Sequence, residues 1–326
     1  MIDESDHIHA GTAVDNEFSQ SKCLLSRLSL MSKLPEISVV IPAYNASRFI
    51  GETLEGVLSQ THKAKEVIVV DDGSQDDTAA MVLRFSESVR LVRQENAGES
   101  RARNVGRSMA SGDWIAFLDS DDVWEKDMLY ECATTALQHP HAQFIFTNYR
   151  TFGSESKECD SVRQFEIWNR DMYLLVPFVT VLPSASIINK EVSIEWPERT
   201  KNLEDALFFN QLVEMGEAVG IPKYLVRYRR HAASQQRQAN AQEKAFASLL
   251  QEYTDDPVKC KKLQNTLLHL LQSRWYARDW ESFDRLKVLF AEKWPEKLES
   301  EPILTRRRFP RFTYRLKDTF DLWKSK

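Results

Sequence analysis

Between residues 37 and 118 the chain alternates short β-branched or apolar runs with stretches of helical spacing. ISVVI (37–41), EVIVV (66–70), VRLVR (89–93) and WIAFL (114–118) read as buried strands. Between the first two, Phe49, Ile50, Leu54, Val57 and Leu58 recur at the spacing of one helix face. Further helices are predicted near 76–85 and over 99–109. Strands joined by single helices need right-handed crossovers, so the expected fold is α/β, with a mostly parallel sheet flanked by helices on both faces. The first strand is expected to stop at Pro42.

In such a sheet a ligand sits at the carboxyl ends of the strands. Those ends read PAYN (42–45), DDGS (71–74) and FLDSDDVW (117–124). Turn-making explains any one of them, but it does not explain why three ends of one sheet are all so polar. In the last, Asp119, Asp121 and Asp122 crowd into four positions, where a hard divalent cation such as Mg²⁺ or Mn²⁺ would relieve their repulsion and grip phosphate oxygens. Neither GxxxxGK[ST] nor GxGxxG is present, which removes the P-loop and the dinucleotide fingerprint. A nucleoside diphosphate held through metal is the ligand these ends suit.

VVIPAYNASRFIGETLEGVLSQT, EVIVVDDGSQDDT and NAGESRARNVGRSMASGDWIAFLDSDDVW, in that order and spacing, resemble glycosyltransferase family 2. The resemblance is specific over residues 37–124 and weaker to about 234. It implies a GT-A fold, which is Rossmann-like, and inverting transfer from a nucleotide-sugar donor, UDP-linked on this reading. It places Pro42 and Tyr44 on the donor side, with Tyr44 against the uracil ring, and has Asp72 accept from the base N3–H. Asp119 and Asp121 match the DxD pair, Asp121 as metal ligand and Asp119 nearer the ribose; Asp122 is a neighbour whose role is not separated from theirs. Arg103 and Asn104 match the ARN element, and Arg103 is expected to reach the donor; Arg101 is either a second donor contact or part of a solvated helix face.

Inverting transfer needs a carboxylate to take the proton of the acceptor hydroxyl. In NLEDALFFNQL (202–212) the resemblance makes Asp205 the base with Glu204 beside it, although Leu203 stands where the family has glycine. A helix N-terminus favours an ionised carboxylate, and the same position suits simple capping. YRRHAAS (228–234) is similar to the family's YRxHxxS segment, and that resemblance makes His231 a metal or diphosphate ligand; on the residues alone it reads equally as a loop histidine. LPSASIINK (182–190) resembles the family's acceptor-side strand, which implies that Ser184 and Ser186 line the sugar site. QSRW (272–275) is one residue short of the processive-synthase signature, and Trp275 reads as a packing residue.

The expected organisation is a loose extension over 1–35, a catalytic domain over 36–235 and a helical region over 236–326. A net charge of −5 gives no general field for nucleic acid. Cys23, Cys132, Cys159 and Cys260 are scattered and read as reduced thiols of a cytoplasmic protein. The polar, acidic opening is unlike a secretory signal, and no apolar run is long enough to span a bilayer. Residues 305–326 place Phe312, Leu316, Phe320 and Trp323 on one helical face with arginines around it, the pattern of an interfacial helix at an anionic membrane or of docking onto the chain's own helices. The expected partners are a nucleotide sugar and a saccharide or lipid-linked acceptor. A non-catalytic sugar-nucleotide or carbohydrate-binding relative would be expected to lack the DxD or the base. A sugar-phosphate nucleotidylyltransferase would need a glycine-rich loop where PAYN stands.

Overall fold

The computed structural model describes residues 34–154, 156–159, 167–168, 181–198, 204–231 and 280–301, with scattered positions between 257 and 278 and residue 304. Contacts divide the chain into two compact units, 1–237 and 238–326.

In the first unit, β1 (Ile37–Ala43), α1 (Ile50–Leu58), β2 (Glu66–Asp71), α2 (Thr78–Leu83), β3 (Arg90–Arg93), α3 (Glu99–Met109) and β4 (Trp114–Phe117) alternate as the sequence predicts. They are followed by β5 (Val123–Trp124), α4 (Met128–Gln138), β6 (Phe144–Gly153), β7 (Lys157–Cys159), β8 (Ile167–Trp168), a 3₁₀ turn (Pro183–Ala185), β9 (Ser186–Asn189), α5 (Glu204–Met215) and β10 (Ala218–Arg230). One sheet runs in the order β3-β2-β1-β4-β9-β6-β10-β5. Strands β3, β2, β1 and β4 are parallel, as the crossovers require. Beyond β4 the sheet is mixed: β9 is antiparallel to β4 and β6, whereas β10 is parallel to β6.

Side chains alternate across the sheet. Val39, Ile41, Val67 and Val69 enter one core with Ile50, Leu54, Met128 and Leu129. Val40, Ile68 and Val70 enter the other with Ala102, Trp196, Phe208 and Leu212. Helix α3 lies so close to the sheet that a Cβ at Gly106 would stand 2.3 Å from Val40 Cγ1.

The first strand does not stop at Pro42. It continues to Ala43, with Pro42 opposite Val70. Val40 O accepts from Leu118 N, so Val40 faces β4, and Pro42, two residues on, faces the same way. The β1–β4 register ends at Val40, so Pro42 has no ladder bond to lose there.

In the second unit, α6 (Trp280–Lys293) buries Phe283, Leu286 and Phe290 and leads to a 3₁₀ turn, Pro295–Lys297. Trp275 packs edge-on against Trp280 and Phe283, as expected of a packing residue. Cys132 and Cys159 are free thiols; Cys23 lies outside the described residues, as do the loose extension up to residue 33 and the amphipathic tail from residue 305.

Candidate active site

The polar strand ends meet at one edge of the parallel strands. After β1, Asn45 takes a left-handed conformation (φ 48°). Its N–H donates to Ser74 Oγ (2.9 Å), and its Oδ1 accepts from Gln75 N (2.9 Å). This turn ties the first two strand ends together and leaves Tyr44 50% exposed, available for stacking, while Pro42 is buried.

Asp71 and Asp72 are both buried. Asp71 accepts from Ser74 N (2.9 Å) and Arg93 Nε (2.8 Å), so it closes the turn. Asp72 organises the loop before α3: Oδ1 accepts from Gln94 Nε2 (2.6 Å) and Ala97 N (2.9 Å), and Oδ2 accepts from Gly98 N (2.8 Å). A carboxylate offers about four acceptor positions, so these three donors leave about one unused. Gly73 allows the turn through a positive φ of 75°.

The FLDSDDVW segment turns sharply after β4, with Asp122 N donating to Asp119 O (3.1 Å). The Thr53 hydroxyl, from α1, lies 3.0 Å from Ser120 O and 2.8 Å from Asp122 O. Each aspartate has a different environment. Asp119 faces Arg103 Nη2 at 2.8 Å. Asp121 Oδ2 lies 2.8 Å from His231 Nε2. Burial, with the neighbouring Asp119 charge, pushes the Asp121 carboxyl up, against the pull of His231. Asp122, inseparable from its neighbours in the sequence, is fully buried and accepts from Arg229 N (2.8 Å). Burial, then Asp121 and Asp119, raise it well above the usual carboxylate range. It is a strut between the aspartate turn and β10 rather than an open ligand.

Arg229 completes that strut. Its Nε donates to Asp121 O (2.7 Å), and it pairs with Glu52 on α1. Its guanidinium lies over Phe49 and Phe152, and Phe49 also packs against the His231 ring at 5.0 Å.

The second half of the chain meets the first at Arg103, a buried α3 residue 1% exposed. Its guanidinium bonds Glu99, Asp119 and, at 3.3 Å, Asp205 Oδ1. Burial alone would lower the Arg103 pKa; Glu99, Asp119 and Asp205 outweigh it and hold the group protonated. Asp205 and Glu204 open α5, and Leu207, Phe208 and Leu212 behind them are buried as the helical spacing predicts. Asp205 is pushed up to about 7: burial raises it, Arg103 opposes, and Asp119 and Glu204 add to the rise. Its side chain remains 42% exposed, so protein crowds it on one side while the other is open to an incoming molecule. Burial likewise raises Glu99, with Arg103 opposing.

The geometry therefore brings together Asp119, Asp121, His231, Arg103, Asp205 and Glu204, drawn from four separate sequence segments. It does not expose Ser184 and Ser186. Both are fully buried: Ser184 Oγ accepts from Asp119 N (3.0 Å) and Ser186 Oγ donates to Pro183 O (3.1 Å), so they shape the turn under the aspartates and do not line a sugar site. Arg101 is exposed and pairs with Glu198 at 3.3 Å, away from the aspartates. Leu203 lies outside the described residues. Glu99, Arg229 and Trp196, over whose ring Arg103 sits at 4.4 Å, are site residues that sequence reasoning missed. Glu99 left a signal in its i,i+4 spacing from Arg103, and Arg229 stands in the segment YRRHAAS, two residues before His231.

Residues 38–180 match the family model described as glycosyl transferase family 2. Among curated relatives, an uncharacterized glycosyltransferase of Rickettsia felis is 30% identical over 201 residues, 60% of this chain and 33% of that protein. The UDP-Glc:alpha-D-GlcNAc-diphosphoundecaprenol beta-1,3-glucosyltransferase WfgD of Escherichia coli is 38% identical over 122 residues, 37% of this chain and 48% of that protein. The putative teichuronic acid biosynthesis glycosyltransferase TuaG of Bacillus subtilis is 37% identical over 130 residues, 39% of this chain and 51% of that protein. The chain thus spans between a third and about half the length of these three relatives. Among solved structures, S. aureus TarS 1-349 in complex with UDP-GlcNAc superposes with a TM-score of 0.60 at 19% identity, covering 79% of this chain and 80% of that one. The mannosyltransferase PcManGT of Pyrobaculum calidifontis, in complex with GDP-Man and Mn²⁺, gives 0.57 at 17% identity, covering 82% and 89%. At these identities the likeness speaks for the fold, which this chain shares with both glycosyltransferases, and within that fold residues 38–180 are similar to glycosyl transferase family 2.

Proposed function

We propose that the chain is an inverting glycosyltransferase that moves a sugar from a UDP-sugar to a hydroxyl of a saccharide or lipid-linked acceptor, in the synthesis of a bacterial polysaccharide. One observation carries this reading: a single guanidinium, Arg103, joins Asp119 of the aspartate turn to Asp205 of α5. A donor side and an acid–base group from different halves of the chain thereby meet at one point. The UDP-GlcNAc complex of the similar TarS and the lipid-diphosphate acceptor in WfgD's name support the choice of substrates.

On this reading Tyr44 and Asp72 receive the uracil, Tyr44 by stacking and Asp72 through its remaining acceptor position. Asp119 and Arg103 stand where the ribose and diphosphate would lie. The acceptor approaches the open side of Asp205, which takes the hydroxyl proton as the oxygen bonds to the anomeric carbon and the bond to the diphosphate breaks. Glu204 beside it raises the proton affinity of Asp205.

Asp121 and His231 suit a hard divalent ion, Mn²⁺ or Mg²⁺: a carboxylate and an imidazole meet at 2.8 Å, and the carboxylate is crowded by another negative charge. Among the described residues no three His, Cys, Asp or Glu form a ready cage, so two protein groups would share the ion with diphosphate oxygens. When bound, the ion would supply charge stabilisation to the departing diphosphate. The Mn²⁺ in the PcManGT complex supports a divalent ion.

Among the described residues no helix is long and apolar enough to cross a membrane. We assign the basic, aromatic segment 305–326 to contact with an anionic membrane surface on the cytoplasmic side, on sequence pattern alone. The test of the reading is a panel of nucleotide sugars with and without Mn²⁺, scored by protection from heat and by transfer to a diphosphate-lipid-linked sugar. A UDP-sugar that protects only with the ion, and is then consumed, is the expected result. Protection without any transfer would leave a binding protein.

A further inference from the structure

Residues 192–198 form a strap along α3. The Arg107 guanidinium bonds both Val192 O and Ile194 O. The Asn104 amide makes two main-chain bonds to one residue: its Oδ1 accepts from Trp196 N (2.8 Å) and its Nδ2 donates to Trp196 O (2.9 Å). Asn104 and Arg101 also reach Glu198, at 3.1 and 3.3 Å. Positions 101, 104 and 107 share one stripe of the helix, so a single face of α3 grips the strap along its length.

The residue gripped most tightly is Trp196, 1% exposed. Its ring stacks on Phe208 of α5 at 3.9 Å and 13°. Arg103 lies over the ring, 4.4 Å from its centre. With Phe208 covering one face, the guanidinium takes the other. Phe208 is three residues along α5 from Asp205, so one indole sits between the cation and the helix that carries its third carboxylate. The indole N–H finds no acceptor among the described residues. A buried donor without a partner is a cost, so the value of tryptophan here lies in its broad π face, the best of the aromatic faces for a cation.

We propose that Trp196, clamped by Asn104, is the positioning residue that sets the distance between Arg103 and Asp205 and so places the base against the donor. The proposal rests on the reading of Asp205 as base. Of the proposed donor contacts only Arg103 touches the Trp196 ring; those at Tyr44, Asp72 and Asp121 come from other elements, so most of the UDP contacts do not depend on the strap. Loss of the ring should therefore disturb turnover much more than nucleotide binding, since a displacement of about 1 Å in a reacting group costs on the order of 10²-fold.

The experiment compares Trp196→Leu, Trp196→Phe and Asn104→Ala with the wild-type chain and with Asp205→Asn. The readouts are kcat, the Kd for UDP with Mn²⁺, and the pH dependence of kcat. Trp196→Leu should lower kcat by about 10- to 100-fold with Kd changed less than about threefold. Trp196→Phe, which keeps a face for Phe208 and the guanidinium, should recover most of the loss. The groups facing Asp205 are Arg103 and, around it, Asp119, Glu204 and Glu99. Arg103 is the only cation among them, so releasing it should move the acid limb of kcat to higher pH, which a general loss of folded protein would not do. The proposal is overturned if kcat and UDP affinity fall together, if the acid limb stays in place, or if phenylalanine serves no better than leucine. Should Trp196→Leu fail to fold, Asn104→Ala decides by the same readouts, with a smaller effect in the same direction. An active Asp205→Asn would overturn the reading of the base itself. An inactive one beside Trp196 variants without the kcat–Kd split would overturn only the positioning role.

Discussion

Arg103 answers three carboxylates with one charge, and the chemistry of the site follows from that shortage. Asp205 receives only part of a guanidinium, at 3.3 Å, and burial with Asp119 and Glu204 lifts it to about 7. A base acts when deprotonated, so kcat should rise with pH through about 7 and level above it. An aspartate at its ordinary value would give a profile already flat at pH 6, and measuring kcat between pH 5 and 9 separates the two. Arg103→Lys replaces a planar fork by a point charge that cannot bridge the carboxylates. It should cost at least about tenfold in kcat and move that limb to higher pH, because the cation that holds the Asp205 proton affinity down is displaced. An unchanged profile in the lysine variant would remove Arg103 from the account. The residues that could be picked out in the sequence, Asp119, Asp121, Arg103, Asp205 and His231, lie in motifs whose order and spacing are themselves informative. The roles of Trp196 and Arg229 could not be, because they arise from distant contacts, across 177 positions between Arg229 and Glu52, and Glu99 left only its i,i+4 spacing from Arg103.

At the scale of elements, the alternation of β-branched runs and helical spacing was enough to predict β1 to β4 and the helices between them, since the two periods differ. The limit of β1 was not legible, because a proline is tolerated wherever the neighbouring ladder has already ended, and that is a property of β4. Nor was the burial of Ser184 and Ser186, whose alternation with small residues reads equally as a lining or as a turn under another loop. The seating of α3 matters most to the site, because this helix carries Arg103, Asn104 and Arg107. Gly106 permits that seating: an added methyl would meet Val40 at 2.3 Å. Gly106→Ala should destabilise the domain by about 1–3 kcal/mol, the usual range for overpacking. It should also reduce turnover by shifting Arg103. A melting temperature equal to that of the wild-type chain would show that α3 moves aside freely, and would weaken the case for a fixed Arg103.

For the whole molecule, on the proposed reading, one domain binds the nucleotide sugar and transfers the sugar, and the segment 305–326 holds the chain at the membrane that carries its acceptor. The full-length chain should bind anionic vesicles, more weakly as salt rises, and deleting Arg306–Lys326 should release it while donor hydrolysis changes little. Co-sedimentation of both chains decides this; if full-length protein stays in the supernatant at low salt, the tail has no membrane role. On the proposed reading Asp121 serves the donor and Asp205 serves the acceptor at one site. That reading is tested most directly by calorimetric titration of UDP in the presence of Mn²⁺ into wild-type, Asp121→Ala and Asp205→Asn proteins whose transfer rates have been measured alongside. The account predicts that Asp121→Ala loses Mn²⁺-dependent affinity and transfer together. Asp205→Asn should keep the wild-type affinity while losing on the order of 10²–10⁴ in turnover. Wild-type transfer by Asp121→Ala, or a loss of UDP affinity in Asp205→Asn as large as its loss of turnover, would contradict it.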